Sequence, residues 1–261
     1  MLIKTLFFFI LLNVISNLLN LSFDTKCINY NKSNDTIIKC YYNEDTIYTG
    51  RGMPIMFDSI LSHPNTAYIE LLSSIPISYQ SLQEKIKIIS NLKKIKCIYF
   101  GNIIRDSLPR EILLLENLEQ ISFEGPSEMY LEQAFTVLSD LTKLKTVVLR
   151  RHHDVPTSIC QIKSLEVLDL AYSKLDSLPS CIGELPNLKT VSLACGYINN
   201  LDAVIEPLMQ SKTLENLGLS SLHIKKIPPN VAQIKNLKIL DLWRNSIDTL
   251  PCSLANRGIE I

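Results

Sequence analysis

Three adjacent residues, His152, His153 and Asp154, form the densest group of side chains that could bind a metal ion or transfer a proton. Adjacent side chains in a turn point in different directions, so we expect three separate solvated residues here and no metal site. The sequence has no zinc-binding pair of cysteines, no glycine-rich phosphate loop and no motif that sets a nucleophile beside an oriented base. We therefore predict a protein that is not an enzyme and that uses no metal or cofactor.

A second set of residues has the aromatic and charged side chains that are enriched in binding hot spots. Its members are Tyr99, Arg150, Arg151, Asp169, Tyr172, Asp241, Trp243 and Arg244. If the fold brings these residues to one surface, we expect them to bind a partner. The alternative is an ordinary surface of mixed composition. Lys plus Arg and Asp plus Glu both total 26, so no net charge attracts nucleic acid or an anionic membrane. Nucleic acid is therefore not an expected partner.

The N-terminus is typical of an exported protein. After Lys4, an apolar run from Leu6 to Leu12 resembles the core of a secretory signal, and asparagines interrupt it before it could span a bilayer. Residues 1–22 are predicted to be a cleaved signal peptide, the alternative being a membrane-spanning helix. The mature chain is expected to be secreted and not inserted in a membrane.

The seven cysteines are an odd number, so at least one is unpaired or paired between chains if the compartment is oxidising. Cys27 and Cys40 flank a polar stretch between two β-prone segments, where a disulfide-closed hairpin would contribute about 3 kcal/mol. The alternative is two unpaired thiols. We assign residues 23–63 to an N-terminal capping region. The other five cysteines occupy differing positions in the pattern described next, with no CxxC pair, so no zinc site is expected and their pairing is left open.

An apolar pattern with the spacing i, i+3, i+5 recurs along the rest of the chain. The middle residues of its eight occurrences are Ile69, Ile98, Ile121, Val147, Leu168, Val191, Leu217 and Leu240. Successive members are 21 to 29 residues apart, which is the length of a solenoid repeat. In a strand, positions i+3 and i+5 point to one face, so these residues are predicted to form the core.

A second motif follows most of the predicted strands, an apolar residue and a proline with another apolar residue three positions after the proline. The prolines are Pro109, Pro156, Pro179, Pro228 and Pro251. Proline fixes φ and has no N–H, so it is expected to turn the chain onto the opposite side of the repeat. Three return segments have room for a helix, with Ser81, Ser127 and Asp202 as the predicted N-caps.

The last repeat, residues 237–251, has the form LxxLxLxxNxLxxLP. It resembles the unit of leucine-rich-repeat proteins, particularly the short class with proline-containing returns, and the resemblance covers about residues 64–254. It implies an α/β solenoid at residues 64–261 with about eight units, a horseshoe with a concave parallel β-sheet and short helical, 3-10 or irregular convex returns. In that family an asparagine ladder joins the coils. Only Asn245 matches it here, because the equivalent positions hold His152, Ser173, Gly196 and Leu222.

Proteins of this family usually bind through the concave face, where the eight hot-spot candidates are expected to lie. Eight strands about 4.8 Å apart span roughly 35 Å, enough for a folded protein or an extended peptide. We expect a non-enzymatic recognition module that binds a protein or peptide there. The alternative is an intracellular leucine-rich-repeat scaffold or signalling adaptor of the Ras-regulatory type. The chain stops soon after Leu254, so the final coil is expected to be exposed unless the last residues fold over it, and a dimer through that edge is a further expectation.

Overall fold

The computed structural model describes residues 36–43, 46–49, 54–56, 61, 65–73, 77–101, 107–125, 130–255 and 257–261. All of these residues belong to one compact unit, residues 35–261. The predicted signal segment and Cys27 lie outside the described residues. The signal peptide and the Cys27–Cys40 disulfide therefore stay predictions.

Thirteen strands are present in the described residues. In chain order they are β1 (Thr36–Asn43), β2 (Thr46–Thr49), β3 (Pro54–Met56), β4 (Thr66–Ser73), β5 (Cys97–Gly101), β6 (Gln120–Glu124), β7 (Thr146–Arg150), β8 (Val167–Asp169), β9 (Lys174–Leu175), β10 (Thr190–Ser192), β11 (Tyr197–Ile198), β12 (Asn216–Gly218) and β13 (Ile239–Asp241). Eight of them, β4 to β8 with β10, β12 and β13, form a parallel sheet with one strand from each repeat, while β9 and β11 pair separately. Strand β1 extends this sheet beside β4, and β2 and β3 follow it antiparallel.

The predicted register of the repeats is confirmed. The eight middle residues pair with one another in sequence, from Ile69 with Ile98 to Leu217 with Leu240. Every one of them is 0 % exposed. A slip of one residue would turn each strand's apolar side chains to the solvent face, so this buried column fixes the register from β4 to β13.

The opposite side of each coil consists of short helical segments. Four 3-10 turns begin directly after a proline, and they are Arg110–Leu114, Thr157–Gln161, Ser180–Glu184 and Pro229–Gln233. The α-helices are α1 (Tyr79–Ile89), α2 (Leu131–Leu138), α3 (Leu201–Ile205) and α4 (Cys252–Ala255), with a further 3-10 turn at Glu206–Gln210. These returns agree with the predicted solenoid.

Two of the three predicted N-caps, Ser81 and Asp202, were wrong. Helix α1 is capped by Ser78, whose Oγ accepts the Ser81 N–H at 3.2 Å, and α3 is capped by Asn200. Ser81 and Asp202 already lie inside their helices, where a side chain can no longer reach the free N–H groups of the first turn. Ser127 lies outside the described residues, and α2 follows Tyr130 without a side-chain cap.

Two hydrogen-bond ladders join the coils, and only one was expected. Asn245 donates to the carbonyl of Leu219 at 2.8 Å and accepts the Leu222 N–H at 3.0 Å. At the equivalent position three repeats earlier, the Ser173 hydroxyl bonds backbone atoms of the preceding repeat in the same way. A second ladder lies before the strands, where the side chains of Asn117, Asn187 and Asn236 each donate to a lysine carbonyl of the previous repeat. Each of these bonds joins a side chain of one coil to the backbone of the coil before it.

A ladder of alternating charge runs along the start of the strands. Its members in seven successive repeats are Lys96, Glu119, Lys145, Glu166, Lys189, Glu215 and Lys238. Glu166 contacts both lysine neighbours, with N–O distances of 2.8 and 3.1 Å. The end pairs, Lys96 with Glu119 and Lys238 with Glu215, are 2.9 and 2.8 Å apart. Consecutive coils therefore attract each other at the surface as well as in the core.

A disulfide joins Cys160 and Cys181, whose Cα atoms are 6.0 Å apart on consecutive 3-10 turns. The pairing of these two cysteines was left open by their sequence positions. Cys160 lies four residues after its proline and Cys181 two residues after its own, so the pair does not share a repeat position. Adjacent 3-10 turns nevertheless bring the two side chains together.

The last residues do fold back over the final coil. Glu260 pairs with β13, since its N–H donates to the Lys238 carbonyl and its carbonyl accepts the Leu240 N–H, both at 2.8 Å. The Arg257 guanidinium donates to the carbonyls of Ala232 and Ile234. The first contact satisfies backbone groups of the final repeat, and the second satisfies carbonyls at the return of the repeat before it. The dimer through this edge stays a prediction.

Candidate functional site

The parallel register aligns one concave-face column across all eight repeats. Its members are Glu70, Tyr99, Ser122, Val148, Asp169, Ser192, Gly218 and Asp241. The four central members, from Ser122 to Ser192, are buried despite facing away from the core. Parallel strands are about 4.8 Å apart, so long side chains of neighbouring repeats cover short ones. Of the predicted site residues, Asp169 is therefore buried and not exposed.

Tyr99 and Arg151 meet on one carboxylate. The Tyr99 hydroxyl donates to Glu124, and the Arg151 Nε lies 3.4 Å from the other oxygen of the same group. Burial raises the pKa of Tyr99 above its ordinary value, and the negative charge of Glu124 raises it further. The phenol therefore stays protonated and acts as a hydrogen-bond donor. Glu124, which the sequence analysis did not select, holds these two predicted residues together.

Arg150 and Asp169 form an ion pair on the next two strands. The Arg150 guanidinium lies 2.7 Å from Asp169 Oδ2, and Asp169 Oδ1 accepts the Ala171 N–H at 2.9 Å. Both oxygens of Asp169 are thus in use within the chain. We call Tyr99, Glu124, Arg150, Arg151 and Asp169 the central cluster. Its charged groups largely satisfy one another, so they fix the shape of the face more than they offer free bonding groups.

In five successive repeats, the residue three positions after the member of the concave-face column has a left-handed backbone conformation. These residues, which we call the turn column, are Arg151, Tyr172, Cys195, Ser221 and Arg244, with φ between 56° and 65°. None is glycine, although this conformation costs other residues roughly 1–2 kcal/mol. The turn column contains three predicted site residues and places them at the rim of the concave face.

The C-terminal cluster consists of Asp241, Trp243 and Arg244. Asp241 Oδ1 accepts the Trp243 N–H at 3.0 Å, and the Arg244 guanidinium lies 4.1 Å from the centre of the Trp243 ring. Trp243 is 41 % exposed and Tyr172 is 53 % exposed. These two aromatic side chains present exposed surface, whereas the charged groups of the central cluster are engaged with one another.

Small side chains separate the two clusters. The floor between them is formed by Ala171, Ser192, Ala194, Gly218 and Ser220. Three strand spacings, about 14 Å, separate the backbone positions of Asp169 and Asp241. The predicted residues therefore share one face but make two contact areas with a shallow floor between them.

The histidine cluster does not converge. His152 is buried, which corrects the expected solvated position, while His153 and Asp154 are exposed. Burial lowers the pKa of His152, and the backbone of Phe123 in the preceding repeat opposes this shift to a lesser extent. His152 occupies the ladder position of its repeat, where its backbone N–H donates to the Ser173 hydroxyl at 3.2 Å. Within the described part of the chain, no three His, Cys, Asp or Glu residues are grouped so that they could hold a metal ion.

One short parallel strand per repeat, a buried leucine column and 3-10 returns define a leucine-rich-repeat solenoid. Residues 236–256 match the family model described as Leucine Rich Repeat. The chain therefore has the leucine-rich-repeat fold, and its last repeat matches the sequence of that family. None of the described helices is long and apolar enough to cross a membrane.

The curated relatives are much longer proteins. The chain is 27 % identical over 240 residues to the TMV resistance protein N of Nicotiana glutinosa, an alignment of 75 % of this chain and 21 % of the relative. It is 29 % identical over 100 residues to a flightless-1 homolog of Caenorhabditis elegans, which covers 38 % of this chain and 8 % of the relative. The chain thus spans about a fifth or less of these relatives.

Solved structures have the same fold. A leucine-rich-repeat protein of Leptospira interrogans is 27 % identical with a TM-score of 0.54, over 75 % of this chain and 48 % of that one. Drosophila Toll, in its complex with Spatzle, superposes with a TM-score of 0.60 at 15 % identity over 85 % of this chain and 29 % of that one. The second likeness concerns the fold alone.

Proposed function

We propose that this chain is a non-enzymatic recognition module that binds a protein or peptide on the concave face of its sheet. The observation that carries the proposal is the exposure of Tyr172 and Trp243 on this face. Arg151 is the neighbour of Tyr172 in the turn column, and Arg244 directly follows Trp243. Trp, Tyr and Arg are the residues most enriched in binding hot spots. Because the sheet is rigid, these side chains lose little conformational freedom on binding.

The shape of the face supports a macromolecular ligand. A small molecule is usually enclosed by its site, whereas the floor between the two clusters is shallow. An extended peptide or a protein loop can contact both exposed aromatic residues across about 14 Å of small side chains. Toll, which has the same fold, is described in complex with Spatzle.

Matched tyrosine variants test this proposal. The immobilised full chain captures binding proteins, which are identified by quantitative mass spectrometry and then purified for affinity measurement. We expect Tyr172→Ala and Trp243→Ala each to weaken the affinity for the purified partner by about 30-fold, which is the effect of a hot spot worth about 2 kcal/mol. Tyr130, which is 67 % exposed ahead of α2 on the other side of the coil, provides the control. A partner that is lost with Tyr130→Ala and retained by both concave variants would contradict the proposal.

We also propose that the protein is secreted. The apolar run from Leu6 to Leu12 and the disulfide between Cys160 and Cys181 support secretion, because disulfides persist in oxidising compartments. The exposed thiols of Cys195 and Cys252 instead favour the intracellular adaptor, because a reducing compartment protects exposed thiols.

Fractionation of the native cells distinguishes secretion from an intracellular location. The protein is isolated from the medium and from the cell lysate, with free thiols alkylated at the moment of lysis, and both pools are analysed by mass spectrometry. Secretion is supported by a chain in the medium that lacks residues 1–22 and retains the Cys160–Cys181 disulfide. An intracellular chain with an intact N-terminus and alkylated Cys160 would support the adaptor.

A further inference from the structure

The C-terminal cluster repeats the geometry of the central cluster with one group missing. Asp169 and Asp241 lie in the same concave-face column. Each uses Oδ1 to accept the N–H of the residue two positions later, Ala171 at 2.9 Å and Trp243 at 3.0 Å. The same hydrogen bond therefore holds both carboxylates, and it orients the second oxygen, Oδ2, of each in the same way.

The second oxygen shows the difference. Oδ2 of Asp169 binds the Arg150 guanidinium, and Arg150 lies two residues beyond Val148, the strand partner of Asp169. The strand partner of Asp241 is Gly218, so Ser220 occupies the position that corresponds to Arg150. A serine side chain carries no positive charge, so it cannot replace the guanidinium of Arg150. Among the described residues, no lysine or arginine forms an ion pair with Asp241.

The surroundings of Asp241 suit a guanidinium from outside the chain. Gly218 and Ser220 leave space where Arg150 lies in the central cluster, and Trp243 replaces the small Ala171. The indole ring of Trp243 already has the Arg244 guanidinium over it at 4.1 Å, so the ring attracts this group. Guanidinium groups bind carboxylates through a planar fork and stack on aromatic rings, whereas an ammonium group does neither.

We infer that Asp241 and Trp243 form a subsite for an arginine side chain of a protein partner, which occupies the place that Arg150 takes beside Asp169. This inference rests on the proposed function, because it names the partner chemistry of the same concave face. The inference concerns one side chain of the partner. The rest of the face contributes affinity through the turn column, which includes Tyr172.

A titration with N-acetyl-arginine amide tests the subsite without a known partner. Trp243 is the one tryptophan of the sequence, so its fluorescence and its indole N–H resonance report on this site alone. We expect a saturable change with a Kd on the order of 1–10 mM. N-acetyl-citrulline amide, which has the same shape without the charge, should give no saturable change, and N-acetyl-lysine amide should bind at least several-fold more weakly.

Asp241→Asn is the informative variant because an asparagine Oδ1 can still accept the Trp243 N–H, so the local turn is kept. It should weaken arginine binding about tenfold, as expected for the loss of a charge-assisted pair. Asp248→Asn, the same change at an exposed acid of the same repeat, should leave the affinity unchanged. Equal binding of the citrulline or lysine compound, an unaffected Asp241→Asn variant, or no saturation by about 50 mM would each overturn the inference.

A purified partner separates this inference from the proposed function. If Trp243→Ala weakens the partner and Asp241→Asn does not, the arginine subsite is wrong and recognition on the concave face stands. If both of these variants and Tyr172→Ala bind the partner like the wild type, the proposed function is wrong, while the titration still reports whether Asp241 binds arginine. Weakening by both variants supports the inference.

Discussion

Replacing Arg150 by methionine should destabilise the fold, because it leaves the Asp169 carboxylate buried without its cation. The Asp169 side chain is 5 % exposed and keeps only the Ala171 N–H, while Arg150 itself is 35 % exposed. Removing one partner of a fully buried pair costs about 3–5 kcal/mol. Solvent screening of the exposed part of Arg150 reduces this, so we expect about 2 kcal/mol.

Chemical denaturation followed by circular dichroism measures this loss, and a double-mutant cycle isolates the pair. Asp169→Asn removes the charge but can still accept the Ala171 N–H, so Arg150→Met combined with Asp169→Asn should recover at least about 1 kcal/mol relative to additivity. Arg151→Met is the control, since Arg151 is 55 % exposed and lies 3.4 Å from its carboxylate. It should cost less than about 1 kcal/mol.

Two results would refute this reasoning. One is an Arg150→Met variant that loses no more stability than Arg151→Met, and the other is a cycle without coupling between Arg150 and Asp169. If the prediction is correct, Arg150 variants are poor probes of ligand binding, because part of any lost affinity reflects lost stability. Tyr172 and Trp243 are therefore the better residues for testing the concave face.

Three further predictions concern the stacking of the coils. Glu166→Gln removes two lysine contacts and should cost about 1 kcal/mol in denaturant unfolding at low salt, with a smaller effect at high salt; equal losses at both salt concentrations would contradict it. Cys160→Ser combined with Cys181→Ser should cost about 3 kcal/mol under oxidising conditions, and much less when wild type and variant are compared in reductant; an equal cost under both conditions would contradict it. Burial lowers the pKa of His152, so the unfolded chain binds more protons there and the wild type should lose stability as the pH falls through about 6.5. His152→Asn should flatten that part of the stability–pH curve, and an unchanged curve would show that His152 does not couple folding to pH.

The repeat register could be predicted from the sequence because it depends on a constraint that acts in every coil. An apolar residue at the middle position must be buried, and a shift of one residue would expose it. Ile69 is the middle residue of the first repeat, whose pattern starts with the polar residue Thr66, yet it is as fully buried as Leu240 at the other end of the sheet. Local features were harder to place: Ser78 and Ser81 are both reasonable N-caps, and only the packed structure selects Ser78.

The candidate site could be predicted as a surface but not as a set of free side chains. Periodicity places Arg150 and Asp169 on the concave face, but it does not reveal that they bind each other. The turn column has the same limitation for a different reason. A left-handed φ usually shows in sequence as glycine or asparagine, whereas Tyr172, Cys195 and Ser221 give no such sign. Hydrogen bonds to the next coil impose the conformation, for example from the Tyr172 N–H to the Ala194 carbonyl at 2.9 Å. The stacking of coils that stabilises the solenoid therefore also directs Tyr172 and Arg244 to the rim, so variants that loosen the coils should weaken recognition without touching a contact residue.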